Sequence, residues 1–207
     1  MEMKILVACE FTGRVREAFK ALGHDAWSCD LLPTEIPGQH IQGDVLKVLG
    51  EAWDALFAFP PCTYLCSSGA RWWIKRRREQ LAAIIFAQTL AAATWIPKIV
   101  IENPIGILSH PWPQGLGKPS QIIQPWQFGH PETKSTCLWL KGFPLLKPTK
   151  IVTPEYAHLK DGSLYLDKCG RKSSRLHFLS GSMKDRQLER SRTYPGVAAA
   201  MAAQWGN

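Results

Sequence analysis

Lys4 to Cys9 (KILVAC) is a run of strand formers, and the segment after it, Gly13 to Leu22 (GRVREAFKAL), sets Val15, Phe19 and Leu22 on one helical face. Gly23 stops that helix, and Ala26 to Cys29 reads as a second short strand ending at Asp30. A strand, a tight turn, a helix and a strand inside about 30 residues make one βαβ unit. The alternation continues along the chain. An apolar run over Ala55 to Phe59 is closed by Pro60-Pro61, an Ala-rich helix spans Glu79 to Trp95, and Lys98 to Ile101 is a buried strand ending at Glu102-Asn103-Pro104. Thr136 to Lys141 (TCLWLK) is a further strand, and Val197 to Trp205 (VAAAMAAQW) a final helix. Alternating elements of this kind predict an α/β fold, with a mainly parallel sheet covered by helices on both faces.

Past residue 143 the pattern dissolves into Pro, Gly, Ser, Lys and Arg, with short candidate strands such as Ser163 to Leu166. The predicted organisation is a main domain over 1–142, a small irregular basic appendage over 143–192, and a C-terminal helical segment over 193–207 that returns to the main domain. Charge follows the same division. The chain carries a formal +8, and residues from 147 on hold eleven Lys/Arg against five Asp/Glu. A basic surplus confined to one segment is an electrostatic footprint for phosphates or, failing a partner, a solvated face. With 45% hydrophobic and 20% charged residues the 207-residue chain has the balance of a globular protein. Its nine Trp exceed what such a core needs.

The six cysteines are scattered, with no CxxC pair, and the apolar run at the N-terminus is too short for a signal peptide. Reduced thiols in a cytoplasm are therefore expected. The most apolar stretch, Leu81 to Ile96, is interrupted by Gln88, Thr89 and Thr94, which predicts a buried helix rather than a membrane span. Cys137, His158, Cys169 and His177 have spacings that match no compact zinc pattern, and no metal is expected.

Parallel sheets bind ligands beyond the carboxyl ends of their strands, and Glu10, Asp30, Cys62 and Glu102 all fall at such ends. Cys62 follows two prolines, which fix the backbone and cannot extend a sheet, so the thiol is held on a stiff turn where a nucleophile can be reached. The same placement suits a small structural residue. Glu102 shifts the balance, because a carboxylate closing a buried strand is costly without a partner or a task. A thiol and an acid in one pocket can add to, and protonate, an electron-poor ring.

At these residues the chain resembles the cytosine-C5 DNA methyltransferases, in the reduced form found in phages and prophages. Glu10-Phe11-Thr12-Gly13 is similar to the family's turn for S-adenosylmethionine, Asp30 to its ribose-binding acid, and Gly43-Asp44-Val45 to its adenine-contacting segment. Phe59-Pro60-Pro61-Cys62-Thr63 matches the family's Phe-Pro-Cys loop, and residues 64–78 its mobile loop. Pro97 to Asn103 resembles the strand ending in Glu-Asn, and Phe128-Gly129-His130-Pro131 with Lys134 the later Tyr-Gly-x-Pro-Gln-x-Arg segment. The resemblance implies a Rossmann-like, S-adenosylmethionine-dependent methyltransferase fold over 1–142, with 143–192 as a small target-recognition segment. It implies Cys62 as nucleophile on cytosine C6 and Glu102 as the N3 partner. Phe11, Gly13, Asp30, Asp44 and Pro61 are then the cofactor residues, and DNA is the partner, in a bacterial or phage-infected cytoplasm.

Arg71, Lys75, Arg76, Lys134, Lys172 and Arg175 are the expected DNA contacts. Trp72 and Trp73, inside the basic run Arg71 to Arg78, read either as stacking platforms or as core. The chain departs from the family pattern at Arg14-Val15-Arg16, where glycines are usual, at Thr63 for Gln, and at Thr136 for the last arginine of the later segment. Fifty residues of recognition segment offer phosphate contacts but few base-edge contacts, which implies short or relaxed sequence specificity. Methylation of RNA or of a free nucleotide, and a catalytically silent nucleic-acid-binding role, are the alternatives.

Overall fold

The computed structural model describes residues 1–207, apart from the side chains of residues 183 and 184. Its strands are β1 (Lys4–Ala8), β2 (Asp25–Asp30), β3 (His40–Gln42), β4 (Ala55–Ala58), β5 (Lys98–Pro104), β6 (Gln121–Ile123) and β7 (Thr136–Lys141). Its α-helices are α1 (Arg14–Lys20), α2 (Arg77–Ala91), α3 (Met183–Ser191) and α4 (Pro195–Trp205). The seven strands form one sheet in the order β3-β2-β1-β4-β5-β7-β6. Five strands pair in parallel, whereas β7 runs antiparallel to β5 and β6 antiparallel to β7. This is an α/β fold with a mostly parallel sheet, compatible with a Rossmann-like arrangement.

The antiparallel edge has a local cause. A parallel neighbour for β5 needs a crossover helix, and residues 105–135 contain only short 3-10 turns and β6. The chain therefore crosses to the sheet edge as β6 and turns back as β7, which fills the place between β6 and β5.

Alternation along each strand separates two cores. Ile5, Val7, Phe57, Val100 and Leu138 face α1 and α4, where they meet Phe19, Met201 and Trp205. Leu6, Ala8, Leu56, Ala58, Ile99 and Ile101 face the other way, onto Leu90, Ala93, Ile96 and Trp53. Helices thus cover both faces, as the alternation of elements predicts. The rings of Phe19, Phe143 and Trp205 gather around Phe57 at centroid distances of 4.7, 5.3 and 6.0 Å. Such aromatic pairs add about 0.5–1.5 kcal/mol each beyond the area they bury.

Phe143 and Leu146, which open the expected appendage, belong to this main core, and Lys147 exchanges hydrogen bonds with Gln204 of α4. The segment that follows is held by isolated β-bridges (Tyr156 to Ser174, His158 to Leu164, Leu166 to Lys172) rather than by continuous strands. It also contains α3, a helix the composition of the region hides. Ser182 and Asp185 form a capping box at its start, a Ser-x-x-Asp signal that is present in the sequence. No helix among the described residues is long and apolar enough to cross a membrane.

Candidate functional site

In the order β3-β2-β1-β4-β5 the chain proceeds outward in both directions from the β1/β4 junction, and ligand crevices open at such a switch point. Two loops leave the sheet there. The first, after β1, runs from Cys9 to Gly13. Gly13 takes φ +75 and starts α1, and a side chain at this position would meet the Arg16 guanidinium at 2.6 Å. The buried Glu10 carboxylate accepts from the Thr12 hydroxyl, from Gly13 N–H at 3.1 Å and from Arg14 N–H at 3.2 Å. Burial raises its pKa, and these bonds oppose the rise.

The first amides of α1 are therefore already occupied by a carboxylate. A pyrophosphate on this helix start would meet negative charge instead of free N–H donors. A ligand without phosphates suffers no such clash. Phe11 is buried beside the turn, and Asp30 and Asp44 lie near enough to Cys9 for their charges to raise its thiol pKa further, after burial. Burial likewise raises Asp30, which accepts from Leu32 N–H at 2.9 Å, and pushes the Cys29 thiol up to about 11. Asp44 is exposed and caps a short turn through Leu46 N–H. Carboxylates at the ends of β2 and β3 and an aromatic side chain at the end of β1 form a donor set that fits an adenosyl group.

Arg16, which stands where a glycine-rich turn was the pattern, is fully buried. It donates to Ser28 Oγ at 2.8 Å, to Ile36 O at 2.5 Å and to Glu17 at 2.7 Å. The guanidinium thus pins residues 34–36 against α1 and fills the space that Gly13 and Gly38 leave open. Nothing in the sequence marks it as internal, because an arginine two residues into a helix ordinarily faces water.

The second loop follows β4. Phe59 N–H donates to Ala8 O at 2.9 Å, and the buried Asn103 amide donates to Pro60 O at 2.7 Å, tying the Pro-Pro turn to β5. Leu65, fully buried against Ile84, Ile107 and Leu108, anchors its far side. Gly106 lets the chain after β5 come so close that an added side chain would lie 1.9 Å from Leu65 O. Ser67 N–H to Ile105 O and Ile107 N–H to Leu65 O, both 2.9 Å, complete the seam.

Because β4 and β5 pair in parallel with Ala58 beside Ile101, Cys62 and Glu102 emerge at the same end of neighbouring strands. The Cys66 side chain and burial raise the Cys62 thiol well above its ordinary pKa, Glu102 adds to the rise, and Lys134 opposes it. Burial raises the pKa of Glu102, while Lys134 and a hydrogen bond from the Thr136 hydroxyl work against the rise. Thr136, standing where the family pattern has arginine, thus serves the carboxylate. The narrow cleft beside Glu102 is lined by Phe59, Lys134, Thr136, Thr193 and Tyr194. Its free volume of about 30 Å³ equals one water's share of liquid volume. Lys134 Nζ closes one wall by donating to Arg190 O at 2.7 Å, and Arg14 holds Thr193 O at 2.7 Å.

Comparison with protein-family models and with the curated proteins returns no match for this chain.

The basic positions fall into three groups. Arg71 and Lys75 lie over the half-exposed Trp72 ring at 5.3 and 5.8 Å, while Trp73 turns inward, so the two tryptophans divide between surface and core. Exposed Arg76 pairs with Glu79 at 3.5 Å. Lys134 faces the cleft rather than the outer surface. Exposed Lys172 sits over Tyr156, and Arg175 is engaged by Glu132 and Glu155. Pro61 is exposed at the mouth of the second loop. Sequence reasoning missed the Arg192–Glu35 ion pair, which ties the chain after α3 to the loop after β2.

Proposed function

We propose that this chain is a cytosine-C5 methyltransferase that uses S-adenosylmethionine and acts on DNA. The observation that carries the reading is the grouping of Cys62, Glu102 and Lys134 at adjoining carboxyl ends of β4 and β5. Phe11, Gly13, Asp30, Asp44 and Pro61 border the switch point and would hold the cofactor, which when bound supplies the methyl group.

The chain's own residues supply the rest. Cys62, as thiolate, attacks C6 of the ring and the S–C6 bond forms. Glu102 donates a proton to N3 as that bond forms, so negative charge does not build up on the ring. Its raised pKa favours the protonated donor state. Cys66 and burial hold the Cys62 thiol well above the ordinary thiol range and Lys134 opposes that rise, so Cys62 must lose its proton as the ring is engaged. After methylation at C5, loss of the C5 proton to water expels Cys62 and restores the ring. A base reaches this site only outside the stack, at a cost of a few kcal/mol. The wall from Ser191 to Tyr194 must also move, since the cleft as it stands is too narrow for a pyrimidine ring. Arg71, Trp72, Lys75 and Arg76 offer phosphate pairing and a stacking surface beside the second loop.

The test is trapping with DNA containing 5-fluorocytosine and S-adenosylmethionine. Fluorine at C5 blocks the last proton loss, so a stalled covalent adduct that vanishes in Cys62→Ala is the expected result. Absence of any adduct with DNA overturns the reading. One feature favours a second reading: Thr136 stands where the family pattern has the arginine that grips the base. Parallel traps with RNA and with free nucleotides separate that substrate choice from DNA.

A further inference from the structure

Cys66 stands one turn after Cys62 on the second loop. Residues 62–66 make one α-turn, with Leu65 N–H and Cys66 N–H both donating to Cys62 O at 3.0 Å. That turn brings the two α-carbons within about 6 Å, inside the range a disulfide spans. Cys62 and Cys66 are near enough for each to shift the other's thiol pKa, and Ser68 Oγ lies 3.1 Å from the Cys66 sulfur. Both are partly open to solvent, whereas Cys29 and Cys137 are buried.

We propose that Cys62 and Cys66 form a reversible oxidation site, closed to a disulfide by hydroperoxides. The Cys66 sulfur attacks the peroxide: an S–O bond forms, the O–O bond breaks, and hydroxide leaves to become water. The Cys62 sulfur then attacks the Cys66 sulfenic acid, the S–S bond forms, and a second water departs with the Cys62 proton. Two thiols lose two electrons and the peroxide gains them. The Cys62 thiol, Ser68 and the Gly69 N–H stabilise the Cys66 thiolate and lower its pKa, so the attacking species is present at neutral pH. Gly106 and Asn103 hold the turn from both sides, which keeps the two cysteines one turn apart. The consequence for activity rests on the reading above: a disulfide consumes the nucleophile and silences methyl transfer until a thiol restores it.

The test needs no activity. Trypsin releases residues 48–71 as one peptide, which contains Cys62 and Cys66 and none of the other four cysteines. After hydrogen peroxide, this peptide from the folded chain is expected to lose two hydrogens, resist alkylation and recover both thiols with dithiothreitol. Cys66→Ser and Cys62→Ser should each abolish that species. Peroxide-treated wild-type protein whose 48–71 peptide stays alkylatable, gains oxygens instead, or crosslinks to Cys169 overturns the proposal. These results are independent of trapping by 5-fluorocytosine in the reduced protein. An oxidisable pair in a chain that never traps cytosine refutes the catalytic reading alone, and trapping without disulfide closure refutes the oxidation site alone.

Discussion

The two loops at the switch point start from similar strands and end differently. After β1, every polar group is used by a neighbour: Glu10 caps α1, and Arg16 holds Ser28 and Ile36. After β4, the backbone is tied down by Asn103 and the Gly106 seam, while Cys62, Cys66 and Glu102 stand close enough to act on one another. The first loop spends its polar groups on shape. The second fixes its backbone and leaves a sulfur pair that is partly open to solvent beside a carboxyl group. One thiol of that pair is raised and the other lowered, whereas the thiols by the first loop are only raised.

The largest effect should come from the second loop's chemistry. Cys62→Ala is expected to reduce 5-fluorocytosine trapping to background while the thermal midpoint stays near wild type, because a partly exposed thiol contributes little packing. Arg16→Met attacks the first loop and should give the reverse pattern. Leaving Ser28 and Ile36 O without their donor is expected to cost about 3 kcal/mol, and to lower the melting temperature by about 6–12 °C in calorimetry. If Arg16→Met melts like wild type, the first loop is not the rigid member of the pair.

Asn103→Leu tests the tether between the loops' strands. Pro60 O loses its donor, but the unpartnered Asn103 Oδ1 is removed as well, so a net cost of about 1 kcal/mol is expected. Trapping should slow about tenfold as the thiol loses its fixed position. The pH profile is predicted in both directions. Burial raises Glu102, so its donor form is lost as pH rises through that raised value. The lowered Cys66 value keeps a thiolate in the pair below the ordinary thiol range, and it is lost as pH falls through that value. Ser68→Ala removes one bond to that thiolate and should move the acid limb upward in a trapping-rate profile. The smallest effect is electrostatic: Lys75→Ala and Arg76→Ala should each reduce the salt slope of DNA binding by about one, measured by titration at several ionic strengths.

Much of this was legible before any coordinates. The β1–α1–β2 unit, β5 with Glu102, and α4 follow from apolar periodicity, which reports local structure directly. Two things were not. Arg16 looks like a helix-surface residue, and only the return of residues 34–38 over α1 encloses it. The antiparallel β7 looks like any other strand, since periodicity states which residues alternate and not which way the strand runs.

What the chain determines by itself is the set of strands, the Pro-Pro-Cys turn, and the identity of the thiol and carboxyl groups at strand ends, because these depend on neighbours a few residues apart. The tertiary structure alone decides that Thr136, at the start of β7, and Lys134, just before it, reach Glu102 and that Thr193 and Tyr194 narrow its cleft. It also decides that the thiol pKa of Cys62 is raised, and that of Cys66 lowered, in the other's presence. Burial and long-range charge set those properties, and both are sums over groups that only the folded chain brings together.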